Sequence, residues 1–265
     1  MCQLLAMNCN VPTDICFSFT GFQARGGLTD HHTDGWGIVF FEGKGIRQFL
    51  DPNASAHSPV ADFVRTYPIK SENVMAHIRK ATQGETKLEN THPFVREMWG
   101  QYWSFAHNGD LKEFYPKLAG RYLPVGDTDS EKAFCCILEG LIKKFPQGAP
   151  ELSELSDALH ALTMDLASHG IFNYLLSNGE FMFAHCSTKL ASIVREAPFS
   201  VAHLSDQDMS VDFSALTTDK DRVAVIATNP LTENEKWTIH KPGTLMLFVD
   251  GRIQKEYITT AGPEK

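Results

Sequence analysis

The chain has 265 residues, is 43% hydrophobic and 21% charged, and carries a formal net charge of −8, a profile typical of a globular protein with a substantial core. Its acidity argues against nucleic acid as a partner, and no apolar run approaches the ~20 residues that span a membrane. Since the N-terminus lacks a secretory signal and the six cysteines form no C-x-x-C pair, we expect a cytoplasmic protein with reduced thiols.

Seven short runs of β-branched and aromatic residues predict β-strands, and their close spacing predicts mainly antiparallel pairing. In chain order, the predicted strands are residues 37–41, 73–78, 102–106, 172–177, 181–185, 223–227 and 245–249. Hairpin turns are expected at Asn178-Gly179 and at Asp250-Gly251, because both pairs favour the backbone conformations of tight turns.

Three segments repeat apolar residues at helical spacing, namely residues 60–66, 133–145 and 152–166. The second follows a capping-box pattern, TDSE at 128–131, which predicts a helix start. Many antiparallel strands with few helices indicate an α+β fold in which helices flank two packed sheets.

Residues 186–222 show the weakest pattern and predict an irregular excursion of loops and short helices. The chain contains no internal repeat, no low-complexity run and no evident linker. We therefore expect residues 1–265 to form a single domain.

The chain begins with Met1 followed by Cys2. Removal of Met1 is expected because Cys2 is small, and it would leave an α-amine beside the thiol. An N-terminal amine has an unperturbed pKa of ~7.7–8.0, so a single residue could supply both nucleophile and base. Alone, a cysteine at position 2 more commonly just starts a strand.

Three further motifs lie where strands or helices begin and end: HIRKATQG at 77–84, FAHNGDL at 105–111 and GDTDSE at 126–131. Each has a purely structural interpretation. An arginine at a strand end is usually solvated, Asn-Gly usually forms a turn, and an aspartate at a helix start usually caps the helix.

In this order after Met-Cys, however, the motifs resemble the glutaminase domain of the class II glutamine amidotransferases, and most closely their small stand-alone, YafJ-type members. DGWGI at 34–38 and NTHPF at 90–94 extend the resemblance, which is strong to about residue 140 and continues in ATNPLT at 227–232. It implies a four-layer αββα sandwich of two mainly antiparallel sheets, as in N-terminal-nucleophile hydrolases. It also implies that Cys2 opens the first strand, with its site at one end of the sandwich, and that no cofactor is needed.

The resemblance further implies how the reaction proceeds. Cys2 would attack a glutamine side-chain amide, forming a γ-glutamyl thioester and releasing ammonia, with its own amine moving the proton. The Asn108 side chain and the Gly109 backbone N–H would form the oxyanion hole.

The same resemblance implies the substrate contacts. Arg79 would bind the α-carboxylate, Asp129 the α-ammonium, and Thr82 would add a hydroxyl near the carboxylate. Two positions depart from the synthases, which have Trp and His where this chain has Lys80 and Gln83. These departures favour a pocket of different shape or reach.

The eleven histidines raise the question of a metal site. Those in or near the motifs are His31, His32, His77, His92 and His107. None has the spacing of metal ligands, so we expect no metal, and we expect His77 and His107 to orient loops through hydrogen bonds.

Three functional hypotheses stay open. The chain could be a glutaminase that delivers ammonia to a separate acceptor protein, since no acceptor domain is expected within it. It could be a γ-glutamyl amidohydrolase that acts on a modified γ-glutamyl compound or peptide. It could be a non-catalytic binding module with the same fold, although the combination of Cys2, Arg79, Asn108 and Asp129 favours an enzyme acting on a small molecule.

Overall fold

The computed structural model describes residues 2–259, which form fifteen β-strands and four α-helices. The strands are β1 (Gln3–Thr13), β2 (Trp36–Glu42), β3 (Gly45–Asp51), β4 (Ser71–Ile78), β5 (Phe94–Met98), β6 (Gln101–Leu111), β7 (Gly170–Ser177), β8 (Met182–Cys186), β9 (Ala191–Glu196), β10 (Val201–His203), β11 (Ser210–Asp212), β12 (Arg222–Ala227), β13 (Thr238–Ile239), β14 (Thr244–Val249) and β15 (Arg252–Ile258). The helices are α1 (Cys16–Ala24), α2 (Pro59–Thr66), α3 (Asp129–Lys144) and α4 (Leu152–Ala167).

Two large sheets contain most of the strands. The seven-stranded sheet has the order β13-β9-β12-β1-β4-β2-β3, and the six-stranded sheet has the order β15-β14-β8-β7-β6-β5. Every strand pairing in these two sheets is antiparallel, as predicted. Strands β10 and β11 form a separate two-stranded ladder.

Side-chain alternation along the strands divides the core into three apolar layers. On β1, Leu5 and Met7 join the layer containing α1 and α2, whereas Leu4 and Ala6 join the layer between the two sheets. The third layer lies between the six-stranded sheet and helices α3 and α4. Full burial of a leucine contributes ~1.5–3 kcal/mol relative to exposure, so both faces of β1 stabilise the fold. The predicted four-layer αββα sandwich is confirmed.

The start of α3 shows how the capping pattern works locally. The Thr128 side chain accepts the backbone N–H of Glu131 at 3.2 Å, as a capping box requires. The Glu131 carboxylate, however, accepts the N–H groups of Val125 at 3.0 Å and Gly126 at 2.8 Å. This carboxylate therefore fixes the loop that leads into α3 as well as the helix start.

All seven predicted strands and all three predicted helices are present, but α1 was not predicted. Seven of its nine residues are buried, so its apolar side chains form no single stripe that periodicity could detect. The Asp250-Gly251 turn is a two-residue hairpin, with φ of 50° and 74°. At Asn178-Gly179 the loop is longer, because Ser177 pairs with Met182.

The prediction that residues 186–222 form an irregular excursion of loops and short helices is wrong, because the segment contains three β-strands. Strands β10 and β11 pair with each other. Residues 191–196 form β9, which pairs with β12 and β13 inside the seven-stranded sheet. The alternation of apolar and polar residues along β9 is hard to recognise in the sequence, because a charged residue, Arg195, is buried there. Its charge is paired with Glu235. Buried charges are tolerated when they are paired in this way.

The prediction of one domain over residues 1–265 includes Met1 and residues 260–265, which lie outside the described residues, and it stays a prediction. Within residues 2–259, none of the helices combines the length and apolar character that crossing a membrane would require.

Candidate active site

Cys2 lies directly before β1, at the end of the strand where its neighbour β4 also ends. Its Sγ accepts the backbone N–H of Lys80 at 3.3 Å and lies 3.4 Å from the Lys80 carbonyl oxygen. Burial raises the pKa of the Cys2 thiol, while the Lys80 hydrogen bond and the charge of Arg79 act in the opposite direction. The thiol therefore needs a base to become a nucleophile at neutral pH.

Arg79 follows β4 and is almost fully buried, with 2% of its surface exposed. Its guanidinium donates hydrogen bonds to the backbone carbonyls of Gln83 at 2.8 Å, Gly84 at 3.1 Å and Glu85 at 3.0 Å. These three carbonyl oxygens thus bind the guanidinium N–H groups that could otherwise bind a carboxylate bidentately. The backbone N–H of Arg79 is fixed by the Gly35 carbonyl at 2.8 Å.

The loop around Gly84 is attached to the start of α3 through Asn90. The Asn90 side chain donates to the Glu85 carbonyl at 3.0 Å and to the Asp127 carboxylate at 2.7 Å. Gly84 has φ of 73°, and a Cβ there would lie 2.6 Å from an Asp127 oxygen. Asn90 was part of a recognised motif, but its role in connecting two loops was not predicted.

Asn108 and Gly109 lie on β6, in the opposite sheet. The Asn108 amide nitrogen contacts the Thr228 hydroxyl at 3.4 Å, and its Oδ1 is buried without a hydrogen-bond partner in the described part of the chain. A Cβ at position 109 would lie 1.8 Å from the Ile171 carbonyl oxygen. Only glycine therefore fits at position 109 beside β7.

Asp129 is the first residue of α3 and is 6% exposed. Its Oδ2 accepts the backbone N–H of Leu111 at 2.8 Å, which joins the helix start to the end of β6. Its negative charge also acts to raise the pKa of the Cys2 thiol. Arg79, Asn108 and Asp129 thus come from three different elements and lie at the same end of the sandwich as Cys2.

The remaining predicted positions lie on the loop after Arg79. Lys80, Thr82 and Gln83 are exposed. The Gln83 amide donates to the Asp110 carboxylate, next to Gly109, so the loop is attached to β6 as well. Thr82 thus lies on the loop that follows Arg79 and is more exposed than Arg79.

Buried histidines lie beneath this end of the molecule. His107 contacts the Ser130 hydroxyl at 2.8 Å and the Ile171 carbonyl at 3.0 Å, so it does orient a helix start, as expected. His77 meets the backbone of His107, an interaction that acts to raise its pKa, although neither ring nitrogen has a hydrogen bond of regular geometry within residues 2–259. The ring nitrogens of His92 also lack such a bond there, and the ring lies 4.3 Å from that of His77.

Burial controls the protonation of this histidine pair. It lowers the pKa of His77 to about 3 and lowers that of His92 well below its ordinary value, with the neighbouring imidazoles acting in the same direction. Both rings are therefore neutral in the folded protein near pH 7. No group of three or more His, Cys, Asp or Glu side chains in residues 2–259 is arranged to hold a metal ion.

Comparison with known proteins gives matches along nearly the whole chain. The family model for class-II glutamine amidotransferases matches residues 1–264. A Haemophilus influenzae protein named "Putative glutamine amidotransferase" is 54% identical over 261 residues, covering 98% of this chain and 88% of that protein. The Escherichia coli protein named "Putative glutamine amidotransferase YafJ" is 53% identical over 251 residues, covering 95% of this chain and 98% of that protein.

A solved structure is similar over the same extent. The crystal structure of a "predicted glutamine amidotransferase" from Pseudomonas aeruginosa is 47% identical in sequence and superposes with a TM-score of 0.77. The match covers 96% of this chain and 99% of that one.

The buried histidine pair predicts a pH dependence of stability. His92 is neutral when folded and takes up a proton on unfolding below pH ~6.5, so stability should fall as the pH drops through that value. Replacing His92 with Phe should remove about one proton of uptake, reducing the slope between pH 6 and 5 by up to ~1.4 kcal/mol per pH unit. Urea unfolding at several pH values measures this slope.

The control is His57→Phe, at an exposed position, which should leave the slope unchanged. An unchanged slope in His92→Phe would mean that His92 is already protonated in the folded protein.

Proposed function

This chain belongs to the class-II glutamine amidotransferases, and we propose that it hydrolyses the amide of glutamine or of a γ-glutamyl compound through a thioester on Cys2. The observation that carries the proposal is the position of the Cys2 sulfur, in contact with the backbone of Lys80, the residue that follows the buried Arg79. A thiol and a buried cation on adjoining segments suit a γ-glutamyl substrate, whose reacting amide lies at the far end of a short side chain from its carboxylate.

The α-amine of Cys2, free once Met1 is removed, acts as the base in this mechanism. It takes the thiol proton, and the thiolate attacks the γ-carbonyl carbon. The C–S bond forms, the C–N bond breaks, and the amine returns its proton to the departing ammonia or amine. Water then attacks the thioester, releasing glutamate and restoring the thiol. An internal base is required because burial raises the pKa of the thiol.

The developing oxyanion would be stabilised by the Asn108 side chain and the Gly109 backbone N–H. Asn108 has two amide hydrogens, so it can contact Thr228 with one and the oxyanion with the other. Removing one such donor typically lowers kcat by ~10²–10³-fold.

Substrate selection would depend on the two buried charges. Arg79 binds the α-carboxylate in place of the carbonyls of Gln83, Gly84 and Glu85, so the loop that carries them has to move when substrate enters. Asp129 binds the α-ammonium group, and Thr82 comes close when the loop closes. Together the two charges select a free amino-acid zwitterion over a glutamine within a protein.

A γ-glutamyl peptide is the second candidate substrate. The Lys80 side chain is exposed, yet its backbone touches the Cys2 sulfur. Because the residue itself lies at the reacting sulfur, its flexible side chain could attract a further carboxylate of a peptide. With free glutamine, the released ammonia would instead pass to a separate acceptor protein.

Cys2 should be the only residue labelled by a glutamine-mimicking electrophile. Active protein should begin at Cys2 and gain one label by intact-mass analysis, and Cys2→Ala should abolish both hydrolysis and labelling. Cys16→Ala is the matched control, since Cys16 is also half-buried and burial raises its pKa to about 12. Full activity in protein that retains Met1 would contradict the α-amine as base.

Substitutions should separate binding from chemistry. Arg79→Ala and Asp129→Ala should raise KM more than they lower kcat, because both charges hold the ground-state substrate. Asn108→Ala should lower kcat by ~10²–10³-fold, because its contact strengthens in the transition state. Steady-state kinetics measures both constants, and an equal loss of kcat in all three variants would contradict this division of roles.

Isolated protein should hydrolyse a γ-glutamyl peptide better than free glutamine if Lys80 contributes to recognition. The preference should fall in Lys80→Ala, whereas Lys87→Ala, another exposed lysine of the following loop, should retain it. Steady-state measurement of kcat/KM for the peptide and for glutamine, without any partner protein, tests this preference. If glutamine is the best substrate, with kcat/KM within the ~10⁴–10⁸ M⁻¹s⁻¹ of ordinary enzymes, the chain is a self-sufficient glutaminase.

A further inference from the structure

We propose that Thr228 is a positioning residue that holds the Asn108 amide relative to the strand of Cys2, a role that rests on the function proposed above. Thr228 follows β12 and is 4% exposed. Its hydroxyl oxygen accepts the backbone N–H of Leu4 at 2.9 Å, and its own N–H donates to the Leu4 carbonyl at 3.0 Å. Thr228 therefore bonds both the N–H and the C=O of Leu4, which lies on β1, two residues after Cys2.

The same hydroxyl oxygen reaches the other sheet. The Asn108 Nδ2 contacts it at 3.4 Å, although the two residues are separated by 120 positions in the sequence. One oxygen atom thus touches both the strand that follows the nucleophile and the side chain proposed to stabilise the oxyanion. A displacement of either sheet would change this contact directly.

In the structure, the Asn108 amide presents its donor end to Thr228. An amide side chain has a donor end and an acceptor end of similar shape, and only the donor end can stabilise an oxyanion. The Asn108 Oδ1 has no hydrogen-bond partner within residues 2–259, so among described contacts only Thr228 acts on this amide. With one Nδ2 hydrogen on Thr228, the second is available for the reacting oxygen.

At 3.4 Å the contact is at the long end of hydrogen-bond geometry. Hydrogen bonds in unliganded active sites often shorten only when the transition state forms. A contact that strengthens then contributes to kcat and not to ground-state binding. Loss of the hydroxyl should therefore lower kcat and leave KM nearly unchanged.

The test compares Thr228→Val, which removes the hydroxyl and keeps the shape, with Thr228→Ser, which keeps the hydroxyl. On the better of glutamine and a γ-glutamyl peptide, Thr228→Val should lower kcat by about 10- to 100-fold, less than removal of the Asn108 donor itself. KM should change by less than about threefold, and Thr228→Ser should restore most of kcat. Thr163→Val is the control, because Thr163 is also buried but its hydroxyl hydrogen-bonds Leu159 within α4 and Tyr174 on β7.

Two further measurements separate positioning from a general structural effect. In an Asn108→Ala background, Thr228→Val should have almost no additional effect on kcat, because Thr228 acts through Asn108. Alkylation of Cys2 by iodoacetamide, which involves no oxyanion, should proceed at the wild-type rate in Thr228→Val.

Additive effects of the two substitutions, failure of Thr228→Ser to restore kcat, or slowed alkylation would each overturn this role while leaving the proposed function intact. A wild-type protein that hydrolyses neither substrate would overturn the proposed function and, with it, the role of Thr228.

Discussion

The pairing of β1 with both of its neighbours is the constraint on which the site depends. Gln3 is opposite Ile78 on β4, and Leu5 is opposite Ala227 on β12. Arg79 follows Ile78 directly, and Thr228 follows Ala227. The register of this central strand therefore brings the ends of two other strands beside Cys2. A shift of one residue would turn each side chain of β1 to the opposite face, so the two apolar layers that hold β1 also fix the position of Cys2.

The second sheet supplies the other half of the site, and the spacing between the sheets decides whether the two halves meet. Several side chains in the layer between the sheets are alanines, namely Ala6, Ala106, Ala184 and Ala224. Small side chains allow facing sheets to approach closely, and the Asn108 side chain can then reach across to Thr228. Asp129 is fixed to the same sheet through the backbone of Leu111. Close packing in the middle of the sandwich thus determines geometry at its end.

The sequence predicted those features that depend on neighbouring residues. The main strands, three helices and the Thr128 cap follow from periodicity and local hydrogen bonding, and the order of motifs indicated the family. Features that depend on distant partners were missed. Helix α1 is buried on most sides and has no apolar stripe, and β9 carries a buried arginine whose partner, Glu235, lies 40 residues away. Asn90 and Thr228 were noted only as members of motifs. Their structural roles were not predicted, because their contacts join segments far apart in the chain.

In the structure, the Cys2 thiol is protonated and the guanidinium of Arg79 is bonded to its own loop. Burial raises the pKa of the Cys2 thiol, so the thiolate is scarce. The guanidinium of Arg79 is occupied by carbonyls of its own loop, and Gln83 attaches that loop to Asp110. Under the proposed function, a substrate carboxylate would replace the three carbonyls, and its charge-assisted hydrogen bonds in a buried site would offset the loss of these loop contacts. Under the proposed function, any free amino-acid zwitterion could satisfy Arg79 and Asp129 together, so loop opening would be coupled to recognition of the zwitterion. Selection of the γ-glutamyl group would then depend on the reach of the side chain to the Cys2 sulfur.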